Sequence, residues 1–395
     1  MTVTDHSKAE LDSEGIALGA HTEDSRAYRY AAFGVDNHEI PTGREEEWRF
    51  ASLREIYPLL QATETTVSED VVAFDVDDVE GITVGSLGAD EAPRNTLLVP
   101  EDRIAAAAAE LTANALHLKA PKNTEVEQPL RVEITGKDGS TASHAAIVLE
   151  TEESARATYI LNHTGTALFG ENVEMVVGDN SEMTVISLQD WDDDAIHVAT
   201  HVAHLGRDAK LKHIVVSLGG RAVRVNSTSK FNAPGSEIEQ IGLYFADDKQ
   251  HLEHRLFVDH AAPKCTSDVT YKGALQGKGA RSVWVGDVLI RKEAEGTDTY
   301  ELNRNLVLTE GARADSVPNL EIETGEIEGA GHAAATGRFD DEQLFYLRSR
   351  GIPEIEARRL VVRGFFQELI QKIDVPEIRE HLTDSIEDEL RRSMN

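Results

Sequence analysis

The chain has 395 residues, 39 of them basic and 71 acidic, for a net charge of −32. So large an acidic excess excludes nucleic acid and anionic membrane surfaces as partners, because both require a basic footprint. The length suggests two or three units, the 40% apolar content can support a sizeable core, and a single cysteine, Cys265, excludes an intrachain disulfide framework.

The elements are read in chain order. Residues 1–24 are polar and acidic and read as a disordered tail. They lack the basic and apolar regions of a signal peptide, and no apolar run approaches the roughly 18 to 20 residues of a membrane span, so a cytoplasmic location is expected. Arg26 to Phe33 and Ser52 to Leu60 read as short helices on either side of Trp48. Strand-like runs follow in Val84 to Pro100, then an alanine-rich helix in Arg103 to Leu111, an apolar run in Ala113 to Lys119 and a linker in Pro121 to Gln128. Residues 25–129 thus form a helical and mixed region.

From Leu130 the texture changes to short β-rich runs separated by Gly, Asp, Asn or Pro. Arg131 to Thr135, Ala145 to Glu150, Ala157 to Asn162, Met183 to Leu188, Leu211 to Ser217 and Glu237 to Tyr244 are examples. Small residues recur before strands at Ala155, Ser181, Ala209 and Ser236, at spacings of 26, 28 and 27 residues. A near-constant period of this length fits a solenoid with small residues at tight corners; a β-sandwich is the alternative. Beyond Asp340 the chain reads as helical. Leu360, Val361, Gly364, Phe365 and Leu369 form a stripe at helical spacing, and Pro376 opens a last, acidic helix.

His332 stands out among candidate functional residues. Gly331 and the run Ala333-Ala334-Ala335 give it little shelter, so the imidazole can approach another chain, bind iron or exchange a proton near neutral pH. The plainer reading is a surface histidine with one hydrogen bond. Cys265 reads as a small filler beside a turn. Asn303, Arg304 and Asn305 read as turn caps or an amide ladder between coils. His201 and His204, like His251 and His254, are split across the two faces of a strand by their spacing. His197 and His201 share a face near Asp192 to Asp194, which reads as a solvated acidic loop. No phosphate-binding loop, serine-hydrolase elbow, zinc-protease motif or Cys-x-x-Cys pair is present.

Three further patterns carry a family resemblance. Arg44-Glu45-Glu46-Glu47-Trp48-Arg49-Phe50 lies near one end. Tyr271-Lys272-Gly273-Ala274-Leu275, with Asn303 to Leu306 and Glu310 to Ala314, lies in the middle. His332 then leads a run through the polar turn Arg338 to Glu342, an aromatic helix Gln343 to Arg350, a break at Gly351-Ile352-Pro353 and a second amphipathic helix. Together these resemble the SufB/SufD family, the B and D subunits of the Suf iron–sulfur cluster assembly scaffold. The match is D-like: Asn303 stands at or near the B subunit's cysteine, and Ala330 replaces a cysteine that many D subunits carry two residues before the histidine.

The resemblance implies a mainly β protein, a right-handed parallel β-helix core (130–332) flanked by an N-terminal α/β region and a C-terminal α-helical region (333–395). It implies a non-catalytic scaffold subunit that pairs with a SufB-like subunit and docks a SufC-like ABC ATPase through its C-terminal helices. Phe345, Tyr346, Phe365 and Phe366 are the expected anchors. No cofactor is held permanently; a transient iron–sulfur cluster, or iron, forms at the subunit interface with His332 contributing. A homodimer stays open. The spread of acids further suggests a halophilic archaeal source, with an acidic binding surface as the other reading. The rival function is a β-helix lyase or hydrolase of acidic polysaccharide, for which Asp190 to Asp194 are the available carboxylates.

Overall fold

The computed structural model describes residues 29–63, 70–339 and 341–392; the expected tail, 1–24, lies outside them. The N-terminal region carries α1 (Leu53–Gln61), β1 (Val72–Val76), β2 (Thr83–Gly88), α2 (Arg103–Leu111) and β3 (Asn114–Ala120). Asp102 caps α2 by accepting from the amides of Ile104 and Ala105, both at 2.9 Å. Arg94 closes the other end, donating to the carbonyls of Ala109 and Thr112. The expected helix at Arg26 to Phe33 is absent from its described part. There the Ala32 amide bonds to Pro100 O, and Gly34 takes a left-handed φ of 91°. Of Val84 to Pro100, only the first residues extend into a strand; turns around Pro93 fill the rest.

The core begins with two long strands, β4 (Leu130–Thr151) and β5 (Arg156–Val177). One wall of the solenoid then continues through β6 (Glu182–Trp191), β8 (Lys210–Ser217), β10 (Glu237–Ala246), β12 (Thr266–Leu275), β14 (Asp298–Val307) and β16 (Gly329–Arg338). The opposite wall continues through β7 (Ile196–Leu205), β9 (Ala222–Phe231), β11 (His251–His260), β13 (Arg281–Ile290) and β15 (Arg313–Ile322). Every ladder from β4 onward is parallel, and each strand pairs with the one a coil away. This is a parallel β-solenoid of about eight turns with helices at both ends, not a sandwich. The last strand runs on to Arg338, so the Ala333 to Ala335 run belongs to the final coil and α3 (Asp341–Ser349) starts just after it.

The corners explain the period. Ser154, Asn180, Asp208, Gly235, Lys264 and Gly296 all have a positive φ. Each precedes a small, fully buried residue: Ala155, Ser181, Ala209, Ser236, Cys265 and Thr297. The left-handed residue turns its amide onto the next coil, as in Asn180 N to Arg207 O at 2.7 Å and Lys264 N to Glu295 O at 2.7 Å. Only a short side chain fits behind it, inside the column.

Both outer walls are covered. Trp48, α1 and Ile104 of α2 pack on Leu168, Val198 and Ala222 of the β7 wall. On the β6 wall lie α4 (Glu354–Gln371) and α5 (Pro376–Arg392). Val362, Phe366, Leu369, Ile378, Leu382 and Ile386 meet Ile186, Ile214, Ile241 and Phe245 there. Three lysines stitch this seam: Lys212 to Asp374 at 2.8 Å, Lys272 to Glu368 at 2.7 Å and Lys372 to Glu239 at 2.9 Å. The buried face of α4 is offset from the stripe read in the sequence. Of those residues only Leu369 is buried, Val361 and Phe365 are half-buried, and Leu360 and Gly364 are exposed, while Val362, Phe366 and Ile370 meet the wall.

Candidate functional site

Alternation along the strands sends every second side chain into the bore, and the parallel register stacks these residues in columns. One column contains Val185, His213, Gln240, Val269, Glu301 and His332. Its neighbours contain Tyr271 and Asn303, and Tyr244 and Asn305. The bore is thus partly polar, and its polar groups are mostly joined. Asn303 donates to the Tyr244 hydroxyl (3.0 Å) and the Tyr271 carbonyl (3.3 Å); its own amide oxygen accepts from Asn305 and Ser316. Asn303 and Asn305 thus bond to each other within one strand and not as an amide ladder between coils, their coil neighbours being Tyr271, Ala334, Gly273 and Thr336, while Arg304 between them faces out and is exposed. Tyr271 faces in, and Lys272 faces out to the Phe365 carbonyl. Gly273 lies under the Tyr244 ring, where a Cβ would stand 1.8 Å from Cε2.

The column ends in the last coil. His332 pairs by register with Glu301 and shares its side of the wall, but nothing stacks beyond it and it is exposed. Glu301 beneath it is buried, and neither carboxyl oxygen has a hydrogen-bond partner among the described residues. It sits against Gly286 of the opposite wall, where a Cβ would stand 2.9 Å from Glu301 Oε1. Burial, and then the charge of Asp287, push this carboxyl up to about 8. The shift favours the protonated carboxyl, one coil below the exposed imidazole. Sequence reasoning did not single out Glu301, because nothing in a chain rich in acid distinguishes it. Only the alternation within β14 marks it as inward.

The expected docking residues divide. Phe345 and Tyr346 on α3 are 74% and 56% exposed. Phe366 is fully buried against the β6 wall, so it packs the protein and cannot act as a surface anchor. Phe365 is half-buried beside it, with Lys272 Nζ 5.6 Å from its ring centre. Cys265 is buried at a corner, and burial pushes its thiol up, which makes it an unreactive filler. His251 and His254 do separate as expected: His254 lies inside on Ser217 Oγ (3.0 Å), and His251 lies 3.6 Å from Glu253. Asp192 to Asp194 are an exposed turn, and no histidine among the described residues is bonded to them.

The Trp48 motif anchors the N-terminal cover. Arg224 lies 4.3 Å over the Trp48 ring, donates to the Glu47 carbonyl and forms a buried ion pair with Glu253. Burial raises the Glu253 carboxyl, but Arg224, His251 and Arg255 outweigh it and hold the group at about 2.

Fold and site together define a β-solenoid with covered walls and a polar bore that opens at its C-terminal end. Residues 133–365 match the family profile described as SUF system FeS cluster assembly, SufBD core domain. An iron-sulfur cluster assembly SufBD family protein of Mycobacterium bovis is 50% identical over 91% of this chain and 92% of its own length. The SufD proteins of Bacillus subtilis and Escherichia coli are 28% and 27% identical, over 73% and 67% of this chain and 67% and 64% of their own lengths. The chain belongs to the SufBD family of iron–sulfur cluster assembly proteins. That membership does not favour the polysaccharide reading. Among the described residues, no helix is long and apolar enough to cross a membrane.

Proposed function

We propose that this chain is a SufD-like, non-catalytic scaffold subunit. In this reading it pairs in the cytoplasm with a SufB-like subunit, docks a SufC-like ATPase through α3, and presents His332 to a cluster assembling at the subunit interface. The observation that carries it is the exposed His332 in register with the buried Glu301 at the bore's open end. The cluster is cargo here. An iron–sulfur cluster usually needs several thiolates, and this chain's one thiol is buried, so the thiolates come from the partner. His332 then serves as a supporting ligand or as a proton carrier beside the partner's thiolates. Phe345 and Tyr346 fit the docking role by their exposure.

The test is His332→Ala in the complex purified with its partner subunits. Iron and sulfide content should fall several-fold while the melting temperature and subunit ratio hold, because the imidazole supports little packing. Unchanged cluster content would remove His332 from the assembly site.

A further inference from the structure

We propose that His163, Glu171 and His197 form a divalent metal site sealed inside the bore near its N-terminal end, away from His332 and independent of the function proposed above. The corner within β5 builds it. Gly165 has a φ of 74°, and a Cβ there would lie 2.1 Å from Gly136 O. The sharp turn folds β5 from one wall to the other, so that His163 and Glu171 face each other across the bore. His197 arrives one coil later on β7, in register with Phe169. All three side chains are fully buried.

Both rings turn Nε2 toward Glu171 and are held at Nδ1. His163 Nδ1 lies 2.9 Å from the Leu188 carbonyl, and His197 Nδ1 lies 2.7 Å from Gln189 Oε1. The Leu188 carbonyl can only accept, so it holds the His163 ring by Nδ1–H; His197 Nδ1 lies between the Gln189 oxygen and the Trp191 indole N–H, which donates to it at 3.2 Å. The Nε2 atoms of both rings face Glu171. Holding the second ring nitrogen with a carbonyl oxygen is how proteins orient metal-bound histidines.

The spacing is long for a charge-assisted hydrogen-bonded pair. His163 Nε2 is 3.3 Å from both Glu171 oxygens, and His197 Nε2 is 3.7 Å from Oε2 with no hydrogen-bond partner. A charge-assisted pair would close to about 2.7–2.9 Å. Donors about 2.0–2.1 Å from a tetrahedral ion stand about 3.3–3.4 Å from one another. All three ligand atoms lie within 4.8 Å of one another. Two imidazoles and a carboxylate, with no thiolate, suit a borderline first-row divalent ion such as zinc or iron(II).

The experiment is metal analysis of the purified full-length chain, followed by chelation and refolding with cobalt(II) as a coloured probe. The wild type should hold about one equivalent and show visible cobalt bands. Glu171→Gln and His197→Gln should lose both. Gln189→Leu, which removes a ring's acceptor but no ligand, should weaken cobalt binding by about 10–100-fold. It also serves as the readout if a ligand variant fails to fold. His332→Ala should bind cobalt in the bore as the wild type does. Wild-type protein that takes up no more zinc, iron or cobalt than Glu171→Gln overturns the site, as does metal retained by a folded His197→Gln chain.

Discussion

The coils from β6 to β13 and the last coil, from β14 to β16, are made from one repeat but end up in different surroundings. In the first set the bore side chains are fully enclosed, one wall lies under α4 and α5, and the other lies under Trp48 and α2. In the last coil every residue of β15 and β16 is at least partly exposed. The same side-chain types therefore take different roles. His213 and His254, deep in the bore, are pushed down to about 4 by burial and stay neutral. His332 occupies the same kind of inward position, with water where the next coil would be. Place along the solenoid, more than residue type, separates structural groups from available ones.

The comparison can be pressed hardest in the enclosed region. Phe366→Ala should cost about 3–5 kcal/mol, read from denaturant unfolding, because the cavity opens between α4 and the β6 wall. Glu253→Gln should cost a similar amount, about 3–5 kcal/mol, by leaving Arg224 buried without its counter-charge. The pH dependence has a definite sign. Glu253 is held at about 2 against an ordinary 4.5, so its contribution is complete above 4.5 and is lost as the pH falls toward 2. The Gln variant should lose that part of the acid-unfolding profile. A profile identical to the wild type would mean that the ion pair contributes nothing.

Glu301 reverses the sign. Its carboxyl is raised from 4.5 to about 8, so the folded state holds a proton that the unfolded state has released. Its contribution is complete below 4.5 and declines as the pH rises to 8, by at most about 1.4 kcal/mol per unit. Glu301→Gln should flatten that decline in melts recorded from pH 5 to 8. An unaltered slope would place the proton elsewhere. The smallest effect on stability belongs to Phe345→Ala on the exposed face of α3, within about 0.5 kcal/mol. That variant should instead weaken capture of the ATPase subunit; full-strength capture by the Phe345→Ala, Tyr346→Ala double variant would end the docking assignment.

Much of this was legible in the sequence where local chemistry and tertiary structure agree. Arg103 to Leu111 is a helix with those bounds because Asp102 caps it and alanine fills it. Pro376 opens α5 because a first-turn proline needs no amide partner. The corner period showed at Ala155 through Ser236 and faded at Cys265 and Thr297, since the spacing stretches there and the residues change type. The bore was harder to read. His163, Glu171 and His197 are far apart in sequence, and only the turn at Gly165 brings them together. Phe366 lies one position off the stripe read in the sequence and is an expected anchor only through the resemblance, whereas it is the face one position on that packs against the protein's own wall.

The corner column also sets the step in which this protein can change length. Losing one residue within β8 would turn its inward side chains outward and break their match to β6 and β10. Losing the whole stretch from Ala209 to the residue before Ser236 would instead bring one left-handed corner onto the place of another, with β10 taking over the ladder to β6. Drift in this chain is therefore quantised: point insertions are confined to the loops, and the barrel shortens or lengthens by entire windings. Because the bore residues travel with their coil, a gained or lost winding would also move the sealed histidines nearer to, or farther from, the open end by about 4.8 Å.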